Sequence, residues 1–185
     1  MPPAVVPTAI ERDSRTIPGG TRQLLTLVDG DEVPAILLLP ASARAVPAAL
    51  LLHGYTSRKE RMAESLGMAL LRHGVGSLSV DLPLHGEREG GLEGMSGRNP
   101  FELVQRWRLA MREVGLSLRY LAAHPGVDHE RLALVGYSLG SFLAVMAAAE
   151  QPLARVVCLA AGGDLPTEMP FGALLRTVVD PTRAV

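Results

Sequence analysis

The sequence predicts an α/β fold, a doubly wound and mostly parallel sheet with a sharp strand-to-helix elbow near its centre. Three observations predict it. Short apolar runs alternate with longer amphipathic ones from residue 48 onward. The runs at 48–52, 75–80 and 132–135 are rich in apolar residues, as strands covered on both faces are. The segment Gly136-Tyr137-Ser138-Leu139-Gly140 lies between the last of those runs and an Ala-rich helical run at 142–150.

Residues 1–20 read as a flexible or loosely packed N-terminal arm, closed by Pro18-Gly19-Gly20. Residues 21–185 read as the core. Its first two strands, 23–28 and 33–39, flank the turn signal Asp29-Gly30 and form an antiparallel hairpin at a sheet edge. The third strand is 48–52. A helix follows over 57–73, with Ser57 and Glu60 spaced as a capping box and Gly74 ending it. The fourth strand is 75–80. Asn99-Pro100-Phe101-Glu102 is a helix start, with Asn at the cap and Pro in the first turn. Leu103, Trp107, Met111, Val114, Leu118 and Leu121 then recur at steps of three or four, a stripe that faces the core. Pro125-Gly126 stops this helix, 132–135 is the fifth strand and 154–160 the sixth. The mixed apolar stretch 164–180 reads either as a small lid or as a connecting helix.

Composition narrows the function classes. A chain of 185 residues is one domain by length. Its 18 basic and 19 acidic residues are interspersed, so no basic excess drives binding to a phosphate backbone and nucleic acid is not expected as a partner. No apolar run reaches the ~20 residues that span a bilayer, and Met1-Pro2-Pro3 is no cationic leader start. A cytoplasmic protein without a membrane partner is the expectation. Cys158 is the only cysteine, so no intramolecular disulfide forms, and it reads as a small buried hydrophobe. No metal-ligand cluster and no phosphate-cradling glycine loop stands out, so no cofactor is implied.

The chemistry sits on one rim. Right-handed crossovers bring the loops after parallel strands to one side of the sheet, where ligands bind. His53-Gly54-Tyr55, the segment Asp81 to Gly86 and the elbow all follow strands and share that rim. In the elbow a serine occupies a strained turn, and Gly136 and Gly140 let strand and helix approach around it. The hydroxyl is thereby exposed for attack, but a serine needs an activating base. All five histidines, His53, His73, His85, His124 and His129, precede Ser138. His73 ends a helix, and His124 and His129 lie toward the opposite rim. Glu87, Arg88 and Glu89 read as a solvated charged loop, and Asp81 as a residue that caps or braces a loop.

These segments together resemble the α/β-hydrolase family, in the small carboxylesterase and dienelactone-hydrolase-like branch. Leu51-Leu52-His53-Gly54-Tyr55 is similar to the family's strand-3 loop, Val80 to Arg88 to the segment after strand 4, and Arg131 to Gly140 to strand 5 and its elbow. The likeness covers residues 22–165. It implies that Ser138 attacks an ester carbonyl and that the backbone N–H groups of Leu139 and Tyr55 receive the oxyanion. Each such donor is worth about 3 kcal/mol in the transition state. His53 and His85 are accessory positions: His53 orients the oxyanion loop, His85 holds the loop after strand 4, and either is a substitute base. Asp164, after the sixth strand, is a minor candidate for the acid.

The family places its acid and histidine after its seventh and eighth strands, and six strands are readable here. The resemblance therefore implies a C-terminally incomplete hydrolase fold whose sixth strand is left as an apolar edge, a route to self-association. The function expected is a carboxylesterase-type serine hydrolase acting on small or medium acyl esters, with a small-molecule ester as its substrate partner. The alternative is a non-catalytic fragment or pseudo-hydrolase binding module. Acyltransferase and peptidase chemistry on the same scaffold stay open, because loops set the pocket.

Overall fold

The computed structural model of the chain describes residues 6–88, 100–150, 153, 154 and 156–160. Among the described residues, seven strands form one sheet: β1 (Thr8–Ile17), β2 (Gly20–Asp29), β3 (Asp31–Pro40), β4 (Val46–Leu52), β5 (Gly76–Val80), β6 (Val127–Tyr137) and β7 (Val156–Ala160). Their spatial order is β1-β2-β3-β5-β4-β6-β7. β1, β2, β3 and β5 pair antiparallel in that sequence, whereas β5, β4, β6 and β7 run parallel. The expected α/β sheet forms, but it is mixed and not mostly parallel: three of its pairings are antiparallel and three parallel.

One element corrects the sequence-based expectation. Residues 8–17, expected to be part of a loose arm, are β1. Pro18-Gly19 does not close an arm. It is a two-residue hairpin turn, with Gly19 at φ +89° and Ile17 paired with Gly20. Apolar alternation did not announce the strand, because β1 borders the sheet and its residues are exposed or half-buried throughout. The Asp29-Gly30 hairpin forms as expected, with Gly30 at φ +85° and Asp29 opposite Asp31. It lies one strand in from the edge.

Two apolar layers cover the sheet. Ala35, Leu37, Leu50, Leu52, Leu78 and Val80 face α3 (Pro100–Ala123) and α4 (Leu139–Glu150), which contribute Met111, Val114, Leu118, Leu121, Leu143 and Ala147. The alternate residues Ile36 and Leu38 face the other way, onto Ala63 and Leu71. This is the period of two that a strand imposes. Leu50, Leu51 and Leu52 are each wholly buried because β4 is covered on both faces. Truncating one of them to Ala costs about 2–5 kcal/mol.

The helix expected over 57–73 is α1 (Lys59–Met62), a π-helical turn (Ala63–Gly67) and α2 (Met68–Arg72). Gly67 explains the close packing there: a Cβ would lie 3.0 Å from both Leu38 Cδ1 and Ser77 Oγ. The Ser57/Glu60 capping box does not form, since Arg58 is the cap and offers no side-chain bond. The N–H of Lys59 is taken instead by Asp81 Oδ1 at 2.8 Å.

The register of the parallel strands positions the site. Leu52 pairs with Val80 on one side and with Gly136 on the other. The loops at 53–58 and 81–88 and the elbow therefore leave the sheet at one level, side by side.

Candidate active site

Ser138 is the single residue between β6 and α4. Its φ of +50° is in the left-handed region that L side chains rarely adopt. Close approaches force this bend. A Cβ on Gly136 would run into the carbonyl of Gly140, and one on Gly140 would run into the carbonyl of Leu52. Ser141 ties the turn from within: its hydroxyl donates to Gly136 O at 2.8 Å and its N–H to Ser138 O at 2.9 Å. Leu139 opens α4, so its N–H belongs to the first turn, whose donors lack intrahelical acceptors.

The loop after β4 abuts this bend. A Cβ on Gly54 would lie 2.9 Å from Tyr137 Cδ1 and 3.1 Å from Ser138 Cβ, so glycine is what lets the loop sit against Ser138. Gly54 O accepts the Ser57 N–H at 3.2 Å, closing a tight turn in which Thr56 takes φ +62°. Tyr55 within it is half exposed. The non-glycine residues with positive φ among those described are Thr56, Leu84 and Ser138, one on each of the three rim segments. Such strain, about 1–3 kcal/mol per residue, collects at functional sites.

His53 is fully buried. Its Nδ1–H donates to Gly54 O at 2.8 Å, and Nε2 accepts the Leu82 N–H at 3.1 Å. Those partners select the neutral ring. Burial lowers its pKa, and the nearby His85 pushes the same way against the Gly54 bond and the Asp81 and Glu60 charges. Both nitrogens of His53 are thus engaged, one by its own loop and one by the loop after β5. His85 is buried too, 5.1 Å from His53 and 5.7 Å from Tyr55 between ring centroids. Its Nδ1–H donates to Pro83 O at 2.8 Å. Nε2 has no hydrogen-bond partner among the described residues.

Beneath these loops lies a charge cluster that the sequence reading missed. Lys59, wholly buried, reaches Glu87 Oε1 at 2.6 Å, Asp81 Oδ2 at 2.8 Å and Glu60 Oε1 at 2.9 Å. Burial works to lower its pKa, but bonds from Asp81, Glu87 and Glu60 outweigh it and hold the ammonium above its ordinary value. The Lys59 bond, aided by Arg12, holds Glu87 below the usual carboxylate range. Glu87 is exposed, as expected, but ion-paired, whereas Arg88 is mostly buried. Arg88 forms a two-pronged bond with Glu113, at 2.7 and 2.9 Å. Burial nevertheless raises the Glu113 pKa. Local sequence carried no signal for these pairs, which join residues 22, 25 and 28 positions apart.

Asp164, Glu89, Asn99 and the lid or helix at 164–180 lie outside the described residues, as does the side chain of Cys158. His124, at the far end of α3, accepts the Gly126 N–H through Nδ1 at 3.0 Å, and burial lowers its pKa. His129 is exposed near the start of β6. Among the described residues no helix is long and apolar enough to cross a membrane.

A model of the alpha/beta hydrolase family matches residues 49–184. A polyketide transferase of Stachybotrys chlorohalonatus is 30% identical over 128 residues, which are 69% of this chain and 40% of that protein. Acetyl xylan esterase 1 from a Thermoanaerobacterium species shares the fold with a TM-score of 0.69 at 21% identity, over 83% of this chain and 52% of that one. An esterase from an Arctic intertidal metagenomic library does so with a TM-score of 0.67 at 22% identity, over 92% of this chain and 71% of that one. The chain thus spans less than half the length of the curated relative it matches.

Proposed function

The chain belongs to the alpha/beta hydrolase family, and on that premise we propose that it carries the nucleophile and oxyanion donors of a carboxylesterase-type serine hydrolase. Ser138 Oγ attacks the carbonyl carbon of a small or medium acyl ester. The carbonyl oxygen becomes an oxyanion that accepts the N–H groups of Leu139 and Tyr55. Collapse expels the alcohol and leaves the acyl group on Ser138, and water then releases the acid. The Ser138 proton passes to a general base and from it to the leaving alcohol. Of the rim histidines, His53 has both nitrogens engaged and His85 Nε2 retains its lone pair. The same acyl-enzyme could be resolved by an acceptor other than water, which is how the likeness to a polyketide transferase bears on this chain.

The observation that carries this reading is the left-handed Ser138 between β6 and α4, with Gly54 packed against it. Fluorophosphonate labelling and hydrolysis of short p-nitrophenyl esters test it. Ser138 takes the label, ester turnover is measurable, and Ser138→Ala abolishes both. A gene product whose Ser138 never labels would overturn it.

The second reading, a non-catalytic binding module, is favoured by one observation. His53, on the same rim as Ser138, has both ring nitrogens engaged. Ester turnover by the 185-residue chain that disappears in Ser138→Ala excludes it.

A further inference from the structure

We propose that Lys59, Asp81 and Glu87 are positioning residues: a clamp, buried at Lys59 and Asp81 and reaching the surface at Glu87, that holds the Tyr55 backbone N–H against the Ser138 elbow. The proposal rests on the reading of Ser138 as nucleophile and names what keeps its second oxyanion donor in place.

The loop at 54–58 holds itself poorly. Its internal backbone bond is Ser57 N–H to Gly54 O, at a long 3.2 Å, and it contains a strained Thr56. Both its ends are instead fastened to one neighbouring loop, 81–88. At the front, Leu82 N–H donates to His53 Nε2 at 3.1 Å. At the back, Lys59 N–H donates to Asp81 Oδ1 at 2.8 Å.

Asp81 is the knot. Its carboxylate accepts the Lys59 N–H, the Lys59 ammonium at 2.8 Å and the Glu87 N–H at 3.1 Å. It fills the space beside Gly86, where a Cβ would collide with it and where φ is +61°. Glu87 closes the circuit by taking Lys59 Nζ on one oxygen and Arg12 Nη1 on the other, at 2.6 and 2.8 Å. Arg12 stands at the irregularity in β1, where the register shifts between Glu11 and Asp13. A chain of charges therefore runs from the edge strand to the root of the oxyanion loop.

The clamp acts by geometry and not by charge. With Arg12 on Glu87 and Arg58 on Glu60, three cations meet three carboxylates, so the cluster has no net positive charge with which to attract a developing oxyanion. Nor is a buried ion cluster an efficient source of stability, since apolar residues of like volume often do as well or better. What it supplies is a fixed spacing between two loops. An oxyanion donor is effective only within about 2.7–3.1 Å of the position the oxygen will occupy.

The test uses the whole protein with Lys59→Met and, should that variant not fold, Glu87→Gln. The first readout is amide hydrogen exchange at Ser57 and Leu82, set against Ser141 in the elbow. The second is phosphonylation of Ser138 by a fluorophosphonate, resolved into binding and rate. The clamp predicts roughly tenfold faster exchange at Ser57 and Leu82 with Ser141 unchanged. It also predicts a roughly tenfold slower phosphonylation step with the binding constant unchanged, as expected for an interaction made only in the transition state. Exchange that rises equally in loop and elbow, or a variant that folds with neither readout moved, overturns it. If wild-type Ser138 fails to react, the hydrolase reading falls, while the exchange measurement still decides the clamp.

Discussion

The two halves of the rim around Ser138 are held by opposite means. The elbow contains no charged side chain: Gly136, Ser138 and Gly140 are set by backbone approaching backbone, with Ser141 stitching the turn. The adjoining loops at 53–58 and 81–88 carry their own polar scaffold, in which the buried His53, Lys59 and Asp81 and the exposed Glu87 are joined by hydrogen bonds. A bend enforced by sterics is rigid and local. A loop enforced by charges depends on every partner being present. Damage to the first therefore appears as strain, and damage to the second as an uncompensated charge.

The largest effect comes from breaking the polar half. Asp81→Ala leaves the buried Lys59 ammonium short of its central partner and strips an acceptor from two backbone N–H groups, those of Lys59 and Glu87. Removing one member of a buried pair costs about 3–5 kcal/mol. Urea unfolding should show a loss of that size. A loss below about 1 kcal/mol, the range of exposed pairs, would mean that the cluster is solvated and that the contrast between the halves is false.

Breaking the steric half costs less. Gly140→Ala adds one methyl where the Leu52 carbonyl already stands, 2.8 Å from His53 O as well. Backbone cannot rotate away as a side chain does, so strand β4 and helix α4 must part. Overpacking of this kind costs about 1–3 kcal/mol. The same variant should lower Ser138 labelling more than its stability loss accounts for, because Leu139 moves with Gly140. Unfolding midpoints measured beside labelling rates check both.

The contrast also explains what could be read from residues alone. The elbow is legible because every part of it lies within five positions, Gly136 to Gly140, between an apolar strand and a helix. The rim loops were legible as locations, since each follows a buried strand. Their support was not. Lys59 meets Asp81 and Glu87 across 22 and 28 residues, and Arg12 meets Glu87 across 75, with no periodicity to announce the pairs. The same long range displaced the capping box: Ser57 and Glu60 have the right spacing, but the helix starts with Arg58 as its cap and Asp81, from the loop after β5, accepts the Lys59 N–H. β1 escaped notice for a different reason. An edge strand that buries almost nothing leaves no apolar pattern, so only its Pro18-Gly19 turn marked it.

The smallest expected effect separates the halves by pH. His53 is neutral and buried, with its pKa below 6.5. Above pH 6.5 it is neutral both folded and unfolded, and its contribution to stability is fully present. As the pH falls from 6.5 toward the folded pKa, the unfolded chain takes up a proton that the folded one refuses. Stability then declines by at most about 1.4 kcal/mol per pH unit for one proton. His124, half-buried at the other end of the molecule, adds a decline of the same sign, so a melting curve alone does not assign it. Local exchange does. A protonated His53 Nε2 can no longer accept the Leu82 N–H, so that amide should exchange faster than base-catalysed chemistry predicts as the pH drops from 6.5. The Ser141 amide, whose acceptor is the Ser138 carbonyl, should follow the ordinary pH law. In His53→Gln the anomaly at Leu82 should vanish while the His124 contribution to melting remains. An anomaly that persists would show that the rim's polar half does not turn on that imidazole.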